Sequence, residues 1–103
     1  MKQQEKNVLE VTITRHDEGN HGEYRAHVKD SPAIGRLTWV ERNGARVAEH
    51  TLVPPVIGGR GVAARLVEAL VADAQEQGFK VLPTCSYVAV AFDRHPEWKN
   101  LRA

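Results

Sequence analysis

The chain has 103 residues, 42% of them hydrophobic and 26% charged, with a formal net charge of +1. That length holds one domain with a modest core, and so small a charge gives no general reason for nucleic acid or an anionic membrane as partner. No apolar run is long enough to span a bilayer, Met1–Lys6 is not a secretory signal, and a single cysteine excludes an internal disulfide and suits a reducing cytoplasm.

Residues 1–6 are polar and expected to be disordered, with 7–103 forming the domain. Val8 to Thr14 alternates through Leu9, Val11 and Ile13 and predicts a strand. Arg15 to Gly22 predicts a turn, whose two histidines have no further Cys or His at metal-ligand spacing. Glu23 to Lys29 alternates again through Tyr24, Ala26 and Val28, and Asp30-Ser31-Pro32 turns the chain. Ala33 to Glu41 reads as a third strand with Leu37 and Trp39 on one face. Arg42-Asn43-Gly44 is a tight-hairpin signal, and Ala45 to Val53 a fourth strand stopped by Pro54-Pro55. Four strands on short connections predict an antiparallel meander.

A glycine-rich turn, Gly58-Gly59-Arg60-Gly61, then opens into a long helix. Apolar residues recur at Val62, Leu66, Leu70 and Ala74, with Ala63, Val67 and Val71 beside them, and Gly78 supplies a left-handed end. Lys80 to Thr84 predicts a fifth strand, parallel to the fourth. Ser86 is the expected N-cap of a short helix from Tyr87 to about Arg94, and Glu97 to Leu101 adds a last turn.

Glycines ahead of a helix leave its unpaired N–H groups accessible, which makes an anion cradle; a turn using glycine for backbone geometry alone is the alternative. Gly59-Arg60-Gly61-Val62-Ala63-Ala64 formally fits a dinucleotide pattern, yet the next strand has no carboxylate for a ribose. An ATP-type loop is excluded because no Lys-Ser/Thr pair follows the glycines. A diphosphate held by backbone amides remains, with Arg60 and Arg65 either contacting it or merely lining the helix's outer face.

Gly58-Gly59-Arg60-Gly61-Val62-Ala63 resembles the Q/R-x-x-G-x-G/A signature of the GNAT superfamily of acyl-CoA-dependent N-acetyltransferases, with glycine in place of the first Gln or Arg. Together with His50-Thr51, Pro83-Thr84-Cys85-Ser86-Tyr87 and Arg94-His95-Pro96-Glu97, the chain is similar to a branch of very small, single-domain acetyltransferases. The resemblance runs from about Val47 to the C-terminus and implies a minimal GNAT-like α/β (α+β) fold: four-stranded antiparallel meander, long helix, parallel fifth strand and short C-terminal helix. It implies acetyl-CoA or CoA as co-substrate, without metal, on Val53, Gly58, Gly59, Arg60, Gly61, Val62 and Ala63. It also implies a small-molecule or protein amine as acceptor for a monomer or weak dimer. Most members carry two helices between the first two strands; only Asp17–Gly22 is available here, so the acceptor side should be open.

Cys85 stands where the fifth strand hands over to the last helix. A thiol outside a helix N-terminus has its thiolate stabilised by unpaired N–H groups and suits a nucleophile; a buried, inert thiol is the other reading. The resemblance makes this cysteine the acyl acceptor. His50 is a candidate base for the thiol or a strand histidine that satisfies backbone groups, and Tyr87 a candidate acid for the departing CoA or a packing residue. A Cys/His hydrolase and a non-catalytic CoA-binding or protein-interaction module are the competing functions. His95, Pro96 and Trp98 read as a cap over the core.

Overall fold

The computed structural model describes residues 10–103. The expected disorder of residues 1–6, and Val8 and Leu9 of the first strand, lie outside the described residues. Five strands form one sheet in chain order: β1 (Val11–Asp17), β2 (His21–Val28), β3 (Ile34–Arg42), β4 (Ala45–Leu52) and β5 (Lys80–Pro83). The first four pair antiparallel and β5 lies parallel to β4. The helix α1 (Val62–Gln77) makes the crossover, α2 (Ser86–Arg94) follows β5, and a 3-10 segment (Pro96–Leu101) closes the chain. This is the mixed α/β arrangement that the alternations predict.

Alternation decides which side chains meet the helices. Tyr24, Ala26, Val28, Leu37 and Trp39 point inward and are buried, as are Val62, Leu66, Leu70 and Ala74 on α1. Gly35 lets the two layers close, since a Cβ there would stand 3.1 Å from a methyl of Val62. Asn43 and Gly44 both take left-handed φ (53° and 81°), the turn geometry that suits a twisted two-residue hairpin. Gly78 ends α1 at φ 82°, its N–H bonded to the Ala74 carbonyl at 2.9 Å.

Four local expectations change. The Arg15–Gly22 turn is mostly strand: β1 reaches Asp17, and only residues 18–20 turn. Arg15 belongs to the inward face because its guanidinium reaches Asp73 on α1 at 2.8 Å, a contact between residues far apart in the chain. The fifth strand ends at Pro83 instead of Thr84. The N-cap of α2 is Cys85, not Ser86: Cys85 has extended backbone and its carbonyl accepts the Ala89 N–H at 3.0 Å. Finally, the C-terminus returns to the sheet, with Arg102 bridged to Val81 and the Ala103 N–H bonded to the Val81 carbonyl at 2.8 Å.

One irregularity sets up the site. Trp39 pairs with Ala48 but Thr38 pairs with His50, so Glu49 is an extra residue in β4. Such a bulge resets the alternation of the strand that carries it. Beyond it, Thr51 pairs with the fully buried Leu37 and faces the α1 side, whereas His50 pairs with Thr38 on the opposite face.

Candidate active site

β4 and β5 stay paired only as far as Ala48 and Pro83. Proline has no N–H to continue a ladder. The Ala48 carbonyl instead accepts from the Thr84 N–H (3.2 Å), the Thr84 hydroxyl (2.9 Å) and the Cys85 N–H (3.0 Å). Past that knot β4 runs on to Leu52 with no strand on its β5 side among the described residues, and the N-cap of α2, Cys85, meets Thr51 there.

Cys85 is half-buried there. Its sulfur lies 3.4 Å from the Thr51 hydroxyl. No side-chain cap bond of conventional geometry closes, but the N–H groups of Tyr87, Val88 and Thr51 lie near enough to act on the thiol. Burial pushes the thiol pKa up; the Thr51 hydroxyl and those three amides outweigh it, and the net shift is downward from the ordinary value. The arrangement favours a thiolate and so can present a nucleophile.

Thr51 is the partner that sequence reasoning missed. An unbroken alternation from the buried Ala48 would put His50 on the α1 side and Thr51 on the other; the bulge at Glu49 reverses that choice. It turns Thr51 to the thiol and leaves His50 exposed on the other face, not hydrogen-bonded to Cys85. A Cys/His hydrolase would need that missing contact. Replacing Thr51 with Val removes the hydroxyl donor and keeps the volume. The pH profile of Cys85 alkylation by iodoacetamide should then move to higher pH, with a several-fold slower reaction at neutrality. An unmoved profile means that the amides alone hold the thiolate.

The glycine loop leaves β4 through Val53, which packs half-buried against the core, and a 3-10 turn over Pro55–Ile57. Among the described residues, the amides of Gly59, Arg60, Gly61, Val62, Ala63 and Ala64 have no backbone acceptor. Gly58 differs from its neighbours in the expected set, because its N–H is bonded to the Pro55 carbonyl at 3.0 Å. Gly61 is the N-cap of α1 at φ 85°, with no side-chain cap bond and open space where a Cβ would stand. Free amides, a helix N-terminus and room for close approach fit a diphosphate. Val62 contributes only its backbone, since its side chain is buried. Arg60 is exposed on the loop, while Arg65 turns to Glu68 (3.7 Å) and the Val11 carbonyl (3.5 Å).

Tyr87, the second residue of α2, is 43% exposed and lines a groove between α1 and α2. His95 stacks on Trp98 at 4.0 Å and Trp98 meets Phe92 edge-on at 5.4 Å, so the C-terminal segment covers the core as expected. Among the described residues, no three His, Cys, Asp or Glu side chains gather to hold a metal ion, and no helix is long and apolar enough to cross a membrane.

A family model described as GCN5-related N-acetyl-transferase matches residues 23–101. The match takes in β2 from Glu23 onward, β3 to β5, the glycine loop, both helices and Cys85. It supports acetyltransferase-type activity, with acetyl-CoA as the family's usual co-substrate. Three quarters of the chain and the whole of the candidate site fall inside the match, and this chain belongs to the GCN5-related N-acetyltransferase family.

Proposed function

We propose that the protein transfers an acetyl group from acetyl-CoA to an amine by way of an acetylated Cys85. The observation that carries this is the place of the thiol itself, at the N-cap of α2 and 3.4 Å from the Thr51 hydroxyl, where the β4–β5 ladder has ended. The Cys85 thiol gives its proton to solvent. Its thiolate attacks the acetyl carbonyl carbon, so that a Cys85 S–C bond forms as the S–C bond to CoA breaks. Tyr87, beside Cys85 at the start of α2, is assigned to protonate the departing sulfur. An amine then attacks the acetyl-cysteine, which restores the thiol. His50, exposed on the opposite face of β4, is given no proton step in this reading.

The amides of Gly59 to Ala63 would hold the diphosphate, and the open β4 edge near Val53 would take the pantetheine arm. Thermal melts test this half separately. CoA at a hundred times its Kd should add about 2.7 kcal/mol of stability, while ATP and NAD add much less. Gly61→Val forces a β-branched residue to φ 85° and should cost about 1–2 kcal/mol on that account, in addition to losing the CoA-dependent rise. Equal stabilisation by ATP would sink the CoA assignment, and a Gly61→Val protein that CoA still protects would move the diphosphate elsewhere. CoA binding without consumption of acetyl-CoA would leave a binding module.

A further inference from the structure

β1 and β5 are the two edges of the sheet. Arg102 and Ala103 cover part of β5, through the bridge to Val81 and the bond to its carbonyl. β1 has no strand on its outer side among the described residues, and the bonds at its two ends fix which backbone groups face outward. The Lys29 N–H donates to the Glu10 carbonyl (3.0 Å) and the Glu18 N–H to the His21 carbonyl (2.9 Å), and both pairs continue the β1–β2 register. Antiparallel pairs alternate between hydrogen-bonded and open. Even-numbered residues of β1 therefore bond β2, while Val11, Ile13, Arg15 and Asp17 aim their N–H and C=O groups away from the sheet. Among the described residues Arg65 alone meets that row, donating to the Val11 carbonyl at 3.5 Å.

Free edges are commonly blunted by proline, lysine, an inward charge, a bulge or shortness. β1 runs seven residues without proline or lysine, and it pairs with β2 without a shift of register. Its one inward charge, Arg15, is engaged by Asp73 at 2.8 Å. A groove with Ile13 and Ala69 in its lining lies between the strand and α1, so the edge is open to a neighbour.

We propose that β1 is a self-association edge, which pairs antiparallel with β1 of a second copy about a twofold axis at Thr14. Thr14 is the middle of the strand, so this is the register that pairs all seven residues. Its hydrogen-bonded pairs set Val11 against Asp17 and Ile13 against Arg15 of the second copy, and they use the outward row on both sides. The long Arg65 contact at Val11 is given up. Thr12 faces His16 of the second copy and Thr14 faces its own equivalent, so no like charges stand opposite, and cross-strand threonines are a favourable pair. The same patch serves on both partners, as a twofold interface requires. The thiol stays open, because Cys85 follows β5 at the other edge of the sheet.

Sedimentation velocity on the wild type between about 1 μM and 1 mM tests it, and dimer should appear within that range. Thr14→Lys and Thr14→Glu each set like charges against each other at the axis and should weaken the dimer about tenfold or more. Mixed together they should regain it, which misfolded variants could not do. On a Cys85→Ser background, oxidised Thr14→Cys should form a disulfide-linked dimer, since residues facing each other in an open antiparallel pair have Cα atoms about 4.5 Å apart. Thr12→Cys faces His16 instead and should stay unlinked. A wild type monomeric throughout would leave the edge to a strand of another protein and overturns the proposal. A dimer that Thr14→Lys does not weaken, or linking at Thr12 in place of Thr14, overturns it equally.

Discussion

Wild-type protein incubated with excess acetyl-CoA and no amine should gain the mass of one acetyl group, and Cys85→Ser should gain none. Exchange of an acyl group between two thiols is nearly balanced in energy, so the adduct accumulates under excess donor. A serine hydroxyl at the same N-cap does not ionise near neutrality, and adduct formation should fall to background. The rate of acetylation in wild type should rise with pH as the thiolate forms, then level off below the range of a free cysteine. The sign follows from the site: hydrogen bonds to the anion outweigh burial, so the thiolate persists to lower pH than in an unstructured chain. CoA should still raise the melting temperature of Cys85→Ser, because the amides of the glycine loop are untouched. Intact-mass spectrometry on both proteins reads the outcome. An unmodified wild type that still transfers acetyl to amines would reduce Cys85 to a structural cap of α2.

The second large effect lies at the other end of α1. Asp73 is 5% exposed on a helix face otherwise lined by aliphatic side chains. Its carboxylate accepts two bonds from the Arg15 guanidinium (2.8 and 3.1 Å) and one from the Tyr24 hydroxyl (2.9 Å). Tyr24 in turn accepts from Arg46 at 2.7 Å, and Arg46 lies 3.9 Å above the Trp39 ring and 4.3 Å from that of Phe79. Burial, then the neighbouring carboxylate, keeps the Tyr24 phenol protonated well above its usual range, against the pull of Arg46. The phenol is therefore a fixed donor that needs an acceptor. Asp73→Ala removes that acceptor inside the core and should cost about 2–3 kcal/mol, which is roughly 10–20 °C in Tm for a domain of this size. The Arg15 side chain is 47% exposed and regains water, so the ion pair adds little to that sum. Asp73→Asn, which keeps an oxygen for Tyr24, should lose much less. Equal melting of Asp73→Ala and wild type would show that the network contributes nothing to stability.

Much of the fold was legible in the residues because each element repeats a local signal along its length. Leu37 and Trp39 two apart, Leu66 and Leu70 four apart, Asn43-Gly44 between strands and Gly78 after a helix each bias the backbone through contacts within a few positions. The glycine loop and the thiol at the start of α2 were legible for the same reason. What the residues did not show were relations between distant segments. The bulge at Glu49 arises from how β4 pairs with β3, and it alone turns Thr51 to Cys85 and His50 away. Asp73 reads as a polar break in an apolar stripe until the sheet brings Arg15 and Tyr24 beneath it. Gly58 resembles its neighbours until the turn at Pro55 takes its amide. In each case the deciding energy is a hydrogen bond whose partner is set by packing. Cys85 thus has its place in the chain from local pattern, and its reactivity from a hydroxyl that only the folded sheet supplies.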